Sequence, residues 1–156
     1  MKKKFFFLLT IFIVFSSLAQ TNKKEAVAIR VTLIGDAYLA SESFSQAIYH
    51  YKKALSAYPG YVKTQFQLAQ SYRLSSQLDS AAFHYQAIID DEQDLRYPMA
   101  RYYLGMMQLD KNEFHSAHNN LVKFNDLLME QKLHDLERYR DFFEQAQTEI
   151  DKLESE

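Results

Sequence analysis

The sequence lacks cysteine and tryptophan altogether, and its 156 residues include only three glycines and two prolines. Without cysteine the chain cannot form a disulfide framework, a thiolate nucleophile or a zinc site with sulfur ligands. Glycine and proline disfavour the interior of helices, so their scarcity is typical of an almost entirely helical chain. Apolar residues make up 47% of the sequence, which is enough to build the core of a single domain.

Long hydrophobic runs are also absent, with one exception near the N-terminus. Three lysines precede an apolar segment from Phe5 to Phe15, and the small residues Ser17 and Ala19 follow it. A basic start, a short apolar middle and small residues at the end are the layout of a secretory signal peptide. We therefore predict a signal peptide over residues 1–19 and a short polar lead-in over residues 20–25. The alternative is a retained N-terminal anchor, although the apolar run is shorter than the ~20 residues of a typical membrane span.

Clusters of basic residues are missing from the rest of the chain. Removing residues 1–19 takes away three of the 18 Lys and Arg, which leaves 15 against 20 Asp and Glu. Nucleic-acid binding requires clustered basic side chains that neutralise phosphates. We therefore expect no nucleic-acid partner, and no membrane span once the signal peptide has been cleaved.

A repeat with a period of roughly 35 residues is the most informative pattern in the remaining chain. Its first occurrence comprises Gly35, Tyr38, Ala47, Tyr51, Ala54 and Pro59, its second Ala69, Tyr72, Ala81 and Tyr85, and its third Gly105, Ala117 and Leu121. A period of this length is the signature of helix-turn-helix arrays, in which each repeat buries its apolar faces against its neighbours. The pattern therefore predicts an all-α fold of three stacked helix pairs.

Recurring small residues indicate where the two helices of each pair meet. Gly35, Ala69 and Gly105 fall midway along the first helices, and alanines recur at the matching position of the second helices. The distance between packed helices depends on the side chains at the contact, so small residues allow a close approach. We expect these positions to be the closest points within each pair.

Turn and capping residues set the expected limits of the helices. Ser43 is placed to cap the second helix, and Gln46 three residues later completes the pattern of a capping box. Pro98 should lie in the first turn of the fifth helix, where its missing N–H costs nothing. The seven expected helices cover about residues 26–40, 44–57, 61–74, 77–89, 98–109, 113–130 and 133–153.

At these positions the chain resembles the tetratricopeptide repeat family. Residues 28–61 carry nearly the whole motif, residues 62–95 keep much of it, and residues 98–131 depart from it at several positions, including Gln108. The resemblance spans residues 26–131 and implies a right-handed α-solenoid of about three such repeats followed by a C-terminal capping helix. It also implies a role in binding other proteins. The alternative is a generic helical bundle.

Residues 132–156 lie outside the repeat and form an amphipathic helix of their own. Its apolar positions alternate spacings of three and four, and they are Leu136, Tyr139, Phe143, Ala146, Ile150 and Leu153. Such a stripe buries one helix face, and terminal helices of repeat arrays usually cover the last repeat. We expect it to fold back over Leu121, Phe124 and Leu128, and the mature protein to be monomeric. The alternative is a structural protein that self-associates through this stripe.

The resemblance implies that the first helices of the pairs line the inner surface of the solenoid. Projecting the repeat register onto that surface predicts a partner-binding groove formed by Thr32, Asp36, Lys63, Phe66, Gln70, Arg73, Met99, Tyr102 and Met106. Chaperone-binding members of the family hold a peptide's terminal carboxylate there with Lys, Asn and Arg, and this chain lacks that clamp. Its aromatic and methionine-rich end suits an apolar helix or extended peptide. The alternative is that Phe66, Tyr102 and Met106 pack against neighbouring helices or the terminal helix.

Few residues point to catalysis or metal binding. His115 and His118 lie three positions apart, a spacing at which two histidines can share a metal ion, but no third ligand is evident. His50 and His84 occupy the same repeat position, which favours a common packing role. The sequence shows no nucleophile motif and no phosphate-binding loop. We therefore expect no enzymatic activity and no cofactor, and a metal-binding or enzymatic role through His115 and His118 is the least favoured alternative.

These features favour a non-catalytic adaptor or scaffold that is exported from the cytoplasm. The signal sequence and its junction at Ala19 and Gln20 resemble those of Gram-negative bacteria, particularly of the Bacteroidetes type. This resemblance implies the periplasm, or secretion, as the destination. The expected partner is a protein or peptide of the cell envelope, bound in the groove.

Overall fold

The computed structural model describes residue 20, residues 23–130 and residues 136–155, and every regular element in these ranges is an α-helix. The predicted signal peptide lies outside the described residues. The chain divides into two compact units, an N-terminal unit up to Thr64 and a C-terminal unit from Gln65 onward. In chain order the helices are α1 (residues 23–40), α2 (Phe44–Ala57), α3 (Val62–Leu74), α4 (Leu78–Asp90), α5 (Met99–Asp110), α6 (Phe114–Glu130) and α7 (Leu136–Glu154).

Helix-turn-helix pairs follow one another along the chain, as the repeat predicts. The helices α1 and α2, α3 and α4, and α5 and α6 are each joined by a turn of only three residues. The all-α architecture is therefore confirmed. Over the described ranges, none of the helices combines the length and the apolar character needed to cross a membrane.

Two buried glycines mark the closest approach between the helices of the first and third pairs. A Cβ at Gly35 on α1 would lie 2.6 Å from Cε1 of Tyr51 on α2, and a Cβ at Gly105 on α5 would lie 2.9 Å from Cγ of Leu121 on α6. Tyr51 and Leu121 are fully buried, so the dense surroundings restrict how far they can move aside. Neither glycine has a positive φ. Glycine is required at these positions because there is no space for a side chain, and not because the backbone adopts an unusual conformation.

A stacked pair of rings joins the two helices in each of the first two pairs. The rings of Tyr38 and His50 stack with their centroids 5.2 Å apart, and those of Tyr72 and His84, one repeat later, stack at 5.6 Å. Interplanar angles of 13° and 8° show nearly parallel rings in both places. The predicted common packing role of the two histidines is confirmed.

The third pair replaces the stacked rings with a polar network. Asn120 Nδ2 donates a hydrogen bond of 2.8 Å to Gln108 Oε1, at the positions that hold the rings in the earlier repeats. Arg101 Nη1 donates a bond of 3.0 Å to Asn120 Oδ1, and Arg101 Nε lies 2.5 Å from Asp94 Oδ2. The third repeat thus departs from the motif on both of its helices, at Gln108 on α5 and at Asn120 on α6. Arg101 links this pair of side chains to Asp94 in the preceding connector.

The same backbone arrangement closes the turn after four of the helices. Glu42, Ser76, Glu92 and Asn112 have φ angles between 56° and 61°, in the left-handed region. In each turn this residue's N–H bonds to the carbonyl three residues back, and the next N–H bonds to the carbonyl five residues back. This is the Schellman motif, in which glycine is the usual left-handed residue. Because none of the four is glycine, the residue types indicated the turns but not the left-handed conformation within them.

The predicted capping box at the start of α2 is wrong. Ser43 occupies the N-cap position, but its side chain makes no capping hydrogen bond. Its ψ of 63° differs from the extended backbone that a capping serine usually adopts. The left-handed Glu42 instead brings the Ser43 N–H back to within 2.9 Å of the Tyr38 carbonyl oxygen. The backbone of the turn therefore fixes the start of α2.

The last helix, α7, packs against α6 and completes a hydrophobic core in the C-terminal unit. Its buried members are Met99, Tyr102, Leu121, Phe124, Leu128, Ala146 and Ile150. Asn125 Nδ2 also donates a hydrogen bond of 3.2 Å to Gln147 Oε1, which links α6 to α7. The prediction that the terminal helix folds back over the apolar side chains of α6 is confirmed.

Candidate functional site

Thr32 is one of the nine predicted groove residues, and the structure buries it. Its side chain is 1% exposed, and its hydroxyl donates a bond of 2.8 Å to the carbonyl oxygen of Ala28. A second hydrogen bond, of 2.6 Å, joins it to the hydroxyl of the buried Thr64. The pair ties α1 to the start of α3, so Thr32 belongs to the core and its assignment to the groove is corrected.

Asp36 and Lys63 form a partly exposed ion pair in the N-terminal unit. Lys63 Nζ lies 3.0 Å from Asp36 Oδ2, and the Tyr51 hydroxyl donates a bond of 2.8 Å to Asp36 Oδ1. Burial and the neighbouring Asp36 carboxylate raise the pKa of the Tyr51 hydroxyl well above its usual range. These two predicted groove residues are exposed enough to bind polar groups of a partner. Asp36 also accepts the hydrogen bond that orients the buried Tyr51.

Met99 and Tyr102 lie in the core of the C-terminal unit rather than on an open surface. Tyr102 is 5% exposed, its hydroxyl donates a bond of 2.6 Å to Gln145 Oε1, and its ring centroid lies 5.1 Å from that of Phe142. Burial raises the pKa of the Tyr102 hydroxyl. Because α7 supplies both Gln145 and Phe142, the packing alternative is correct for Tyr102, and the groove assignment of Met99 and Tyr102 is corrected.

The repeat register could not have revealed this burial on its own. It gives the helix face on which a residue lies, but not the element that covers that face. A signal was nevertheless present in α7, where Phe142 lies next to Phe143 and widens the apolar face beyond one stripe. A wider apolar face buries more of the helix surface, which favours contact with more than one neighbouring helix. That contact includes Tyr102 on α5 as well as α6.

The remaining groove residues of the C-terminal unit include one arginine that contacts two of its neighbours. Arg73 donates two hydrogen bonds to Gln70 Oε1, of 3.3 Å from Nε and 2.8 Å from Nη2. The central carbon of its guanidinium lies 4.1 Å from the centroid of the Tyr103 ring. Met106, one helical turn after Tyr103, packs against the edge of the core. All four side chains are partly exposed, and we call Gln70, Arg73, Tyr103 and Met106 the Arg73 surface.

A layer of aromatic rings supports the Arg73 surface from below. The Tyr103 ring stacks on Tyr85 at 5.6 Å, and Phe66 lies 5.9 Å from Tyr85 and 5.3 Å from Tyr97. Burial raises the pKa of the Tyr85 hydroxyl, and the positive charge of Arg73 partly opposes that rise. Phe66, predicted as a groove residue, therefore acts mainly in packing, whereas Tyr103 was missed because it lies beside the predicted face.

This arrangement presents a cation next to apolar surface. A guanidinium is planar and can hold a carboxylate with two parallel hydrogen bonds, and it stacks well on aromatic rings. Gln70 and Tyr103 hold Arg73 in one orientation before any ligand arrives, which lowers the entropy cost of binding. The surface is suited to a peptide that carries an acidic side chain beside an apolar one.

The two histidines considered for metal binding lie on α6. His118 Nε2 is 3.0 Å from Glu154 Oε1 of α7, and His115 Nε2 is 3.2 Å from Asn119 Nδ2. In the part of the chain that the structure describes, no three His, Cys, Asp or Glu side chains gather in a way that could hold a metal ion. His118 therefore links two helices, and the metal hypothesis gains no support.

Comparison with known families finds a match over the repeat region. The family model described as tetratricopeptide repeat matches residues 38–111, from Tyr38 near the end of α1 to Lys111 just after α5. This match agrees with the resemblance found in the sequence pattern. Among curated proteins, none matches the chain significantly.

Solved structures share this fold at low sequence identity. The tetratricopeptide repeat domain of Sgt2 from Aspergillus fumigatus is 22% identical with a TM-score of 0.62, and the similarity covers 83% of this chain and 82% of that one. The Yersinia enterocolitica type III secretion chaperone SycD, in complex with a peptide of the translocator YopD, is 12% identical with a TM-score of 0.66, covering 80% and 90%. The second tetratricopeptide repeat domain of human RPAP3, in complex with an HSP70 peptide, is 16% identical with a TM-score of 0.59, covering 86% and 98%. The shared fold is an all-α solenoid of helix-turn-helix repeats.

Proposed function

Because a family model described as tetratricopeptide repeat matches residues 38–111, we propose that the protein is a non-catalytic adaptor that binds a peptide or helix of another protein. Repeat arrays of this type present extended surfaces to other macromolecules. Two of the similar structures, SycD and the RPAP3 domain, contain a bound peptide. These complexes support a protein or peptide as the partner here as well.

The Arg73 surface is the observation that carries this proposal. The guanidinium is held by Gln70 and Tyr103, so a carboxylate of the partner would meet a donor group that is already oriented. An apolar side chain of the same partner would contact Met106, whose flexible thioether adapts to different shapes. The expected ligand is therefore an extended or helical segment with an acidic residue next to an apolar one.

We place this partner in the cell envelope, because residues 1–19 have the layout of a signal peptide. The mature chain would begin at Gln20 and act in the periplasm or outside the cell. Mass spectrometry of the protein purified from its native host tests this proposal directly. A chain that still begins at Met1 and remains in the cytoplasm would contradict it.

Affinity capture from the native envelope tests the binding function. The mature protein is compared with Arg73→Ala, and with Arg96→Ala as a matched control that removes an exposed arginine of the same unit. We expect Arg73→Ala to weaken binding of the captured partner by about 1–3 kcal/mol, a typical value for a well-oriented contact residue. Circular dichroism checks that both variants keep their helicity. Equal binding by all three proteins would refute the role of Arg73.

The structure weakens the alternative of self-association through the C-terminal helix. Ala146 and Ile150 on the apolar stripe of α7 are buried within the same chain. These two positions of the stripe are therefore not available to a second copy. The monomer expected from the broad apolar face of α7 stays a prediction.

A further inference from the structure

A carboxylate on α1 joins a buried tyrosine to a cation. Asp36 Oδ1 accepts a hydrogen bond of 2.8 Å from the Tyr51 hydroxyl, and Asp36 Oδ2 lies 3.0 Å from Lys63 Nζ. Tyr51 is fully buried, whereas the side chain of Asp36 is 25% exposed. The tyrosine hydroxyl at this repeat position therefore lies within reach of a carboxylate that is also in contact with solvent.

The second repeat has the tyrosine and a cation but no carboxylate. Tyr85 holds the repeat position of Tyr51, and Gln70 holds that of Asp36. Gln70 Oε1 accepts two hydrogen bonds from Arg73, and a carbonyl oxygen has two lone pairs. Arg73 therefore uses the whole accepting capacity of the side chain that stands where the first repeat has its carboxylate.

The hydroxyl proton of Tyr85 is consequently left without an acceptor. Tyr85 is 0% exposed, and its hydroxyl makes no hydrogen bond over the residues that the structure describes. Burial raises the pKa of this hydroxyl and the nearby charge of Arg73 partly opposes the rise, but a guanidinium has only donors and cannot accept the proton. A buried polar group without a partner is costly, so its presence in a native structure calls for an explanation.

We propose that a carboxylate of the partner takes the place in the second repeat that Asp36 has in the first. It displaces the carboxamide of Gln70, pairs with the guanidinium of Arg73 and accepts the hydroxyl proton of Tyr85. The inference rests on the proposed function and adds to it the way in which the acidic side chain is recognised.

The exchange of acceptors favours the bound state. Gln70 is partly exposed, so its side chain can turn toward water, while Tyr103 continues to hold the guanidinium of Arg73. A carboxylate offers about four lone-pair sites where one amide oxygen offers two, and its charge strengthens the bonds to the guanidinium. The buried hydroxyl of Tyr85 gains an acceptor only when the carboxylate is bound.

Gln70→Asp tests the vacant position without any ligand, because it builds the arrangement of the first repeat into the second. The introduced carboxylate should bond to Tyr85 and Arg73 and raise the melting temperature by about 2–4 °C. The gain should disappear when Gln70→Asp is combined with Tyr85→Phe, which removes the hydroxyl. Gln65→Asp is the matched control, since it makes the same chemical change on another side of α3. Its effect on the melting temperature should not depend on Tyr85.

Short synthetic peptides test the ligand. Each peptide pairs a glutamate with a leucine or a phenylalanine, and its counterpart has glutamine in place of the glutamate. The chain beginning at Gln20 should bind the glutamate peptides about tenfold more tightly than their counterparts in fluorescence anisotropy. Gln70→Asp should abolish this preference because its own carboxylate occupies the site, and Tyr85→Phe should reduce it several-fold. Gln65→Asp should bind as the unmodified chain does, and circular dichroism verifies the fold of each variant.

The two measurements separate the failure of this inference from the failure of the proposed function. Selective binding of glutamate peptides that Gln70→Asp leaves unchanged would overturn the carboxylate exchange alone. The same holds for a melting temperature that Gln70→Asp does not raise, or raises equally without the Tyr85 hydroxyl. A chain that binds none of the peptides, or binds both kinds equally, would overturn the acidic ligand of the proposed function and this inference with it.

Discussion

Ile34 and Leu104 hold the same position in the first and third repeats, yet Ile34 is nearly half exposed and Leu104 is buried. Both are branched aliphatic side chains, so the difference does not come from their chemistry. The third pair is covered on both sides, by α4 against α5 and by α7 against α6. In a repeat array, the neighbours of a residue determine its contribution to stability more than its own identity does.

Removing α7 should make the third pair as open as the first, and this is the largest effect we expect. Deleting residues 133–156 exposes Leu121, Phe124 and Leu128 on α6. Exposing a large apolar side chain costs about 1.5–3 kcal/mol, so three of them together cost several kcal/mol. We expect the truncated chain to aggregate, which light scattering would detect.

Ala146→Glu provides a milder version of the same test, because it places a charge in the interface between α6 and α7. Thr148→Glu, on the exposed side of the same helix, is its control. A truncated chain that stays soluble and unfolds at the unchanged temperature would show that α7 does not stabilise the third pair.

Alanine substitutions at Leu104 and Ile34 compare the two positions directly. Leu104→Ala creates a cavity in the core and should lower the free energy of unfolding by about 2–5 kcal/mol. Ile34→Ala should lower it by less than about 1 kcal/mol, because the side chain is already nearly half exposed to water. Urea unfolding measures both. Equal losses would mean that the exposure of Ile34 does not affect its contribution to stability.

The glycines at the two helix contacts should differ in a smaller but measurable way. An added Cβ costs about 1–3 kcal/mol where it overpacks a core. Gly35→Ala should cost more than Gly105→Ala, because the ring of Tyr51 is flat and held by Asp36, whereas Leu121 can change its rotamer. Gly60→Ala is a suitable control, since its Cβ would meet only Tyr58 at 3.9 Å. Measurement of the free energy of unfolding gives the order of the three variants. A larger loss for Gly105→Ala than for Gly35→Ala would contradict this prediction.

The sequence predicted the close helix contacts at Gly35 and Gly105, because recurring small residues indicate where two helices approach each other closely. The repeat register could not show that Thr32 is buried, or decide between groove and packing for Tyr102, because it gives the face on which a residue lies but not the element that covers that face. The prediction from the sequence also failed at Ser43, where the conformation of Glu42 decides whether the serine can cap α2. Such an outcome depends on backbone angles that the residue types alone do not fix.

Alkaline pH should destabilise the protein through its buried tyrosines. Burial raises the pKa of the Tyr85 hydroxyl above its ordinary value of 10.0. The folded state therefore keeps a proton that the unfolded state releases. This stabilisation is complete below pH 10 and is lost as the pH rises above it, by about 1 kcal/mol per pH unit. Tyr85→Phe should reduce the slope of unfolding free energy against pH, and the third repeat already has Leu121 at this position. An unchanged slope would contradict the prediction.

The smallest expected effect is at the left-handed turns. Ser76→Gly should raise the free energy of unfolding by up to about 1 kcal/mol, because glycine adopts a positive φ without steric strain. Asn112→Gly in the third pair should raise it less, since asparagine tolerates this conformation better than serine does. Thermal unfolding of both variants checks the order. A destabilised Ser76→Gly would show that the serine side chain contributes to its turn.

The open face of α1 also bears on how long the protein survives in the cell. A helix with few apolar contacts opens locally at a low cost in free energy, and proteases attack such open forms. Any partner that packs on α1 would suppress this opening and slow degradation. The lifetime of each chain would then lengthen as that partner becomes abundant.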